Sequence, residues 1–198
     1  MVLVELTSID LSDLPIEAFK AHLRLGTGFA DDDVQDEVLE SYVRAAMATI
    51  EARIGKMLLR RQVVWELTEW TASKSQPLPV APVSNISSVV LVTREGLETV
   101  VDPGLYRLKR DTHRPQVEAV GVQLPMVPSG GEVKVTFDAG FGPAWLDVPP
   151  DLREAVFLLA AHYYENRWDR TGSSGLMPFG VMALLDSHRN IRVFEGRL

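Results

Sequence analysis

Residues 132–164, EVKVTFDAGFGPAWLDVPPDLREAVFLLAAHYY, change hydrophobic period within one stretch. Val133, Val135 and Phe137 alternate with Lys134 and Thr136, the period of two that a half-buried strand requires, and the strand stops at Gly140. Pro149-Pro150-Asp151 then opens a helix running to about Trp168, with Leu152, Val156, Leu159 and Tyr163 on one stripe. Phe157, Leu158, Ala161 and Tyr164 make its middle apolar nearly all round, and such a helix has to be covered on more than one side, by the core or by a neighbouring subunit. If a neighbouring subunit supplies that cover, Phe157, Leu158 and Tyr164 are the expected subunit-packing residues. A strand that leads into a strong helix sets the class as α+β.

The chain before this stretch repeats the two periods in reverse order. Ser12 and Asp13 precede Pro15, and Ile16, Phe19 and Leu23 recur at helical spacing, so a short helix is expected over Pro15–Leu25. Gly26-Thr27-Gly28 breaks it. Asp31-Asp32-Asp33 offers caps for a longer helix with Val34, Val38, Tyr42, Ala45, Ala46, Met47, Ile50 and Ile54 on its stripe, closed by Gly55-Lys56. Its other face carries Asp36, Glu37, Glu40, Arg44 and Glu51; solvation alone is the plain reading of that face.

From Gln62 a β-rich middle is expected, with strands over Val63–Leu67, Ile86–Thr93, Leu97–Val101, around Tyr106 and Leu108, and over Gln116–Val120. Pro77, Pro79 and Pro82 read as an extended crossing that cannot donate ladder hydrogen bonds at those positions. Three main helices and a β-rich segment at 62–140 between the second and third are thus expected within residues 1–172.

Beyond Trp168, Gly172-Ser173-Ser174-Gly175 reads as a hinge, so 173–198 form a hinge and C-terminal arm. The arm contains the apolar run Met177, Pro178, Phe179, Val181, Met182, Leu184 and Leu185, followed by Arg189, Ile191 and Arg192. An apolar segment near a terminus implies a partner surface; a last helix folded back on its own domain fits the pattern equally well.

The 198 residues hold no cysteine, which excludes disulfides, thiolate nucleophiles and cysteine-ligated metals. Net charge is -7, and residues 1–55, with eleven acids and four bases, contain the whole excess. DNA-gripping proteins carry a basic face; this distribution repels phosphate. The opening Met-Val-Leu-Val-Glu lacks the marks of a secretory signal, and the longest apolar stretch, Ala155–Ala161, is too short for a membrane span. His162 with Glu165 is one helical pair without a second motif, so no metal or other cofactor is assigned, and no pair of carboxylates or nucleophile motif marks an enzyme.

In order and spacing, several words resemble one family. They are Phe19-Lys20-Ala21-His22-Leu23-Arg24-Leu25 before the Asp31-Asp32-Asp33 cap, Ile50-Glu51-Ala52-Arg53-Ile54-Gly55-Lys56, Pro77-Leu78-Pro79 with Pro82-Val83, and Val135-Thr136-Phe137-Asp138-Ala139-Gly140-Phe141-Gly142. Val148-Pro149-Pro150-Asp151-Leu152-Arg153-Glu154-Ala155, His162-Tyr163-Tyr164-Glu165-Asn166-Arg167 and Pro178-Phe179-Gly180-Val181 complete the series. The family is that of head–tail connector, or adaptor, proteins of long-tailed bacteriophages and related gene transfer agents.

The resemblance implies a helical bundle of the three main helices with the β-rich insertion at 62–140, residues 1–172 forming the helical connector domain. It also implies a structural subunit in the neck of the particle, assembled in the bacterial cytoplasm. It implies a dodecameric ring beneath the portal protein, a stopper or other tail-side neck protein as neighbour, and DNA passing through without sequence-specific binding. The portal-docking arm then comprises Met177, Pro178, Phe179, Val181, Leu184, Leu185, Arg189, Ile191 and Arg192. Asp36, Glu37 and Glu40 are expected to line the DNA channel. A head-completion stopper or tail terminator is the nearest alternative, and a tail-associated hydrolase a more distant one.

Overall fold

The structure is a computed structural model and describes residues 2–24, 33–167 and 177–189. The Gly26-Thr27-Gly28 break, the caps Asp31 and Asp32, the hinge at 172–175, and Ile191 and Arg192 lie outside the described residues. The chain divides into two compact units, one of Met1–Ile9 with Lys56–Asp147 and the other of Asp10–Gly55 with Val148–Leu198.

The first unit is β-rich. Five antiparallel strands lie in the order β1 (Val2–Glu5), β2 (Arg61–Leu67), β8 (Glu132–Ala139), β4 (Val83–Val92), β5 (Glu98–Val100). A second sheet has the order β3 (Ser75–Pro77), β7 (Gln116–Ala119), β6 (Tyr106–Lys109). The alternation read in the sequence is the burial pattern observed: every second residue of β2 and β8 is buried. Val63, Trp65, Val133, Val135 and Phe137 meet Val89 from β4, Tyr106 from β6, and Val117 and Ala119 from β7 in one core. Burying such side chains stabilises by roughly 1.5–3 kcal/mol each, and this term drives the sheets together. Gly140 ends β8 at φ 129°, where an added Cβ would lie 2.5 Å from the carbonyl oxygen of Leu59, so a side chain there has no room.

Two strands depart from the expectation. Val2–Glu5 is a strand because β2 offers it an edge, with Val2 opposite Glu66 and Leu3 opposite Trp65. Its own sequence lacks the alternation that would mark it. The proline crossing also joins a ladder: Gln76 pairs with Val117 and Pro77 with Gln116. Proline is tolerated because β3 is an edge strand and Pro77 is its last residue.

The second unit is helical: α1 (Ile16–His22), α2 (Asp33–Ile54), α3 (Pro150–Glu165) and α4 (Phe179–Leu185). Gly55 ends α2 at φ 67° and donates its N–H to the carbonyl of Glu51 at 2.8 Å, the left-handed cap its position predicts. The chain is α+β, with the β-rich segment between α2 and α3 and an N-terminal strand added to it.

Candidate interaction surfaces

The three acids expected to line a channel have different surroundings. The Asp36 carboxylate lies 2.6 Å from Lys20 Nζ on α1, and Lys20, itself buried, also reaches Glu17 at 2.9 Å. The hydrogen bonds that Lys20 donates to Asp36 and then to Glu17 outweigh burial and hold its ammonium above the ordinary lysine pKa. Glu40 accepts a hydrogen bond from Arg44 at 2.7 Å one turn on. Glu37 is exposed. Asp36 therefore fastens α1 to α2, and a lysine in its place would set two ammonium groups against each other at that junction. Of the three, Glu37 is the residue whose charge is exposed most simply to solvent.

The cover that α3 needs comes partly from its own chain. Leu152, Ala155, Val156, Leu159 and Ala160 are buried. Phe157 stacks on Phe19 at 5.8 Å and lies 5.5 Å from the ring of His22. Tyr164 meets Tyr42 edge-on at 5.9 Å, with the Arg167 guanidinium 4.8 Å over its ring. Leu158 is half-buried. The three side chains assigned to subunit packing thus already have partial cover inside the helical unit or, for Leu158, partial burial.

The apolar C-terminal run is split in two by α4. Val181 and Leu185 are fully buried, in a helix that packs on α3, whereas Phe179 is 81% exposed. Met177, Pro178, Met182 and Leu184 are half-buried. Arg189 is exposed, 3.4 Å from Asp186. Val181 and Leu185 sit four residues apart on one helical face, which explains why both turn inward while Phe179 turns out. For these two residues the structure corrects the docking assignment: their side chains are interior and offer nothing to a partner while α4 stays in place.

His188 fixes the end of α4, with Nε2 2.6 Å from the Asp151 carboxylate in the first turn of α3. Burial pushes the Asp151 pKa up, but the hydrogen bond and charge of His188, helped by the Leu152 N–H, hold it below the usual aspartate value. A depressed carboxyl pKa stabilises above the unfolded-state value and loses that contribution as pH falls through the folded one. We expect α4 to loosen below about pH 3.9, the ordinary aspartate value. His188→Ala should remove that acid-dependent step in a proteolysis or hydrogen-exchange measurement of residues 179–189, whereas an unchanged profile counts against the pair.

Other features escaped the sequence reading. Arg107, Lys109, Arg110 and Arg114 gather on the β6–β7 hairpin, with Arg107 on Glu118 at 2.7 Å and Arg110 on the Ser84 carbonyl at 3.1 Å. Asp111 accepts the backbone N–H groups of His113 and Arg114, which hold its pKa low. A local basic cluster inside a neutral segment is invisible to summed charge. The second is β1, exposed on both faces at the edge of the larger sheet. Among the described residues no cluster of three or more His, Asp or Glu is arranged to hold a metal ion, and His162 Nδ1 lies 3.1 Å from the amide of Asn166.

No family model matches the sequence, and no curated protein matches it. Solved structures do. A chain in the structure described as the neck of an empty gene transfer agent particle computed with C6 symmetry is 49% identical, with a TM-score of 0.90. One in the virion of a native gene transfer agent particle is 48% identical, with a TM-score of 0.87. A third, from the neck of a native particle computed with C12 symmetry, is 44% identical, with a TM-score of 0.85. In all three the likeness covers 100% of this chain and 100% of the other.

Proposed function

This chain belongs to the head–tail connector family of long-tailed bacteriophages and related gene transfer agents, and on that premise we propose that it is the adaptor subunit of a particle neck. Twelve copies form a ring beneath the portal protein, extend the DNA channel and present a platform to the tail-side neck protein. The observation that carries this reading is full-length identity of 49% to a chain of a neck structure, supported by the twelvefold symmetry of another. The role is structural: the subunit works by shape and contact.

The arm is proposed to engage the portal through Phe179 and the residues after Arg189, with Met177, Pro178 and Leu184 contributing their exposed parts. An 81% exposed phenylalanine at the start of a docked helix is an anchor in search of a pocket. Mixing the purified chain with its cognate portal and imaging the product tests the assignment: a ring on the tail-proximal side of the portal is expected, and a portal left bare overturns it.

For the channel, Glu37 is the informative acid. If α2 faces DNA, like-charge repulsion keeps phosphates from sticking. Glu37→Lys is expected to leave the melting temperature unchanged and to slow DNA release from particles; unchanged release places that face of α2 away from the channel.

A further inference from the structure

We infer that β1 of one subunit pairs with β5 of the next copy, so that the five-stranded sheets join edge to edge around the ring. This rests on the reading of the chain as a ring subunit and adds the seam.

A closed ring of identical copies needs two different surfaces on each copy that complement one another. The larger sheet supplies two, because among the described residues neither of its outer strands, β1 and β5, has a further strand paired to it. Soluble proteins blunt such edges with lysine, proline or a covering loop. Here β1 is Val2-Leu3-Val4-Glu5, exposed along its whole length, with Leu6 also exposed beyond it. At the opposite edge β5 is exposed at all three residues, flanked by exposed Leu97, and Val100 is 69% exposed.

Strand direction and facing agree with the pairing. Four antiparallel steps separate β1 from β5, so the two run the same way, and rotation about a ring axis keeps that sense: the seam is parallel. Val4 opposes Val64, Val64 opposes Thr136, and Lys134, two residues before Thr136 on the same face, opposes Val90, which in turn opposes Val100. Val2 and Val4 therefore share a sheet face with Val100, and across a seam their side chains meet. The Leu6 N–H donates to the Gln62 carbonyl, so by alternation the backbone groups of Leu3 and Glu5 turn away from β2, toward the missing neighbour.

Charge does not oppose the contact. The Glu5 carboxylate is 3.1 Å from Arg61, and that of Glu98 is 3.1 Å from Lys134. Each acid enters the seam with a base from its own subunit beside it, so bringing the two edges together traps no uncompensated pair of like charges.

The chain has no cysteine, which makes a cross-linking test direct. Val4→Cys and Val100→Cys are both surface changes with little expected effect on folding. The double variant, assembled with portal and treated with an oxidant or a short bis-maleimide, should give a ladder of covalent dimers, trimers and higher oligomers on a denaturing gel. Each single variant should stay monomeric. In the assembled ring, amide exchange at Leu3 and Glu5 should slow at least about tenfold relative to the free subunit, the protection a new strand confers. Rings that image normally but give no ladder overturn the seam and leave the adaptor reading standing. Dimers from Val4→Cys alone overturn it in favour of β1 pairing with its own copy. No ring at all defeats both.

Discussion

Leu185→Ala is expected to destabilise the helical unit by about 2–5 kcal/mol, the range for deleting a large aliphatic side chain from a packed interior. Leu185 is fully buried, as is Val181 one turn before it, and α4 is only seven residues long. A helix that short is not stable by itself and persists through its packing. Removing the larger of its two anchors should free the segment as well as weaken the unit: chemical denaturation should show the lower midpoint, and proteolysis should cut near residues 179–189 first. A midpoint shift under about 0.5 kcal/mol, the size of an ordinary surface change, sinks the interior assignment.

Phe179→Ala separates the two roles of the same helix. It removes an exposed ring, so stability should move by no more than about 0.5 kcal/mol while affinity for portal falls. Deleting everything after Ser174 confounds these effects, since it strips Val181 and Leu185 from the interior along with the docking surface. A truncated chain that fails to bind portal is uninformative unless its fold is measured too.

Lys56→Met is expected to stabilise the β-rich unit by about 1–3 kcal/mol, the cost of burying a polar group without a partner. Lys56 is 1% exposed, and its Nζ has no hydrogen-bond partner among the described residues. Burial lowers its pKa, with the Asp111 carboxylate opposing in part. The sign follows: the unfolded chain binds this proton more tightly, so stability rises with pH from the depressed folded value toward the ordinary lysine value of about 10.4. Lys20, raised by its acidic partners, acts oppositely and loses its contribution only above that value. Denaturation midpoints across pH 7 to 10 should climb in the parent and flatten in Lys56→Met. A variant less stable than the parent at every pH would show that the buried ammonium has a partner in solution.

Glu132–Ala139 and Pro150–Glu165 were legible in the sequence because each has enough residues for its period to repeat and each satisfies its own backbone or pairs along its whole length. The same holds for α2, whose stripe and terminal Gly55 mark both body and end. The order of connector-like words along the chain carried the family, and the neck structures matched over the full length agree.

Tertiary structure decided what depends on a partner. Val2–Glu5 and Ser75–Pro77 are strands only because β2 and β7 lend them a ladder, and a four-residue or proline-ended segment has no signal of its own. Apolarity of the C-terminal run fits a partner surface and a helix folded back on its own domain equally well, and only the structure shows Val181 and Leu185 pointing inward while Phe179 stays exposed. Hydrophobicity states that a side chain avoids water without stating which neighbour removes it. The same limit applied to charge: Asp36 looked like its neighbours Glu37 and Glu40 until Lys20, sixteen positions earlier, met it across two helices. Local pattern fixes the elements because their forces act within a few residues; the occupants of each face are settled by contacts between residues far apart in the chain, and those only the folded molecule brings together.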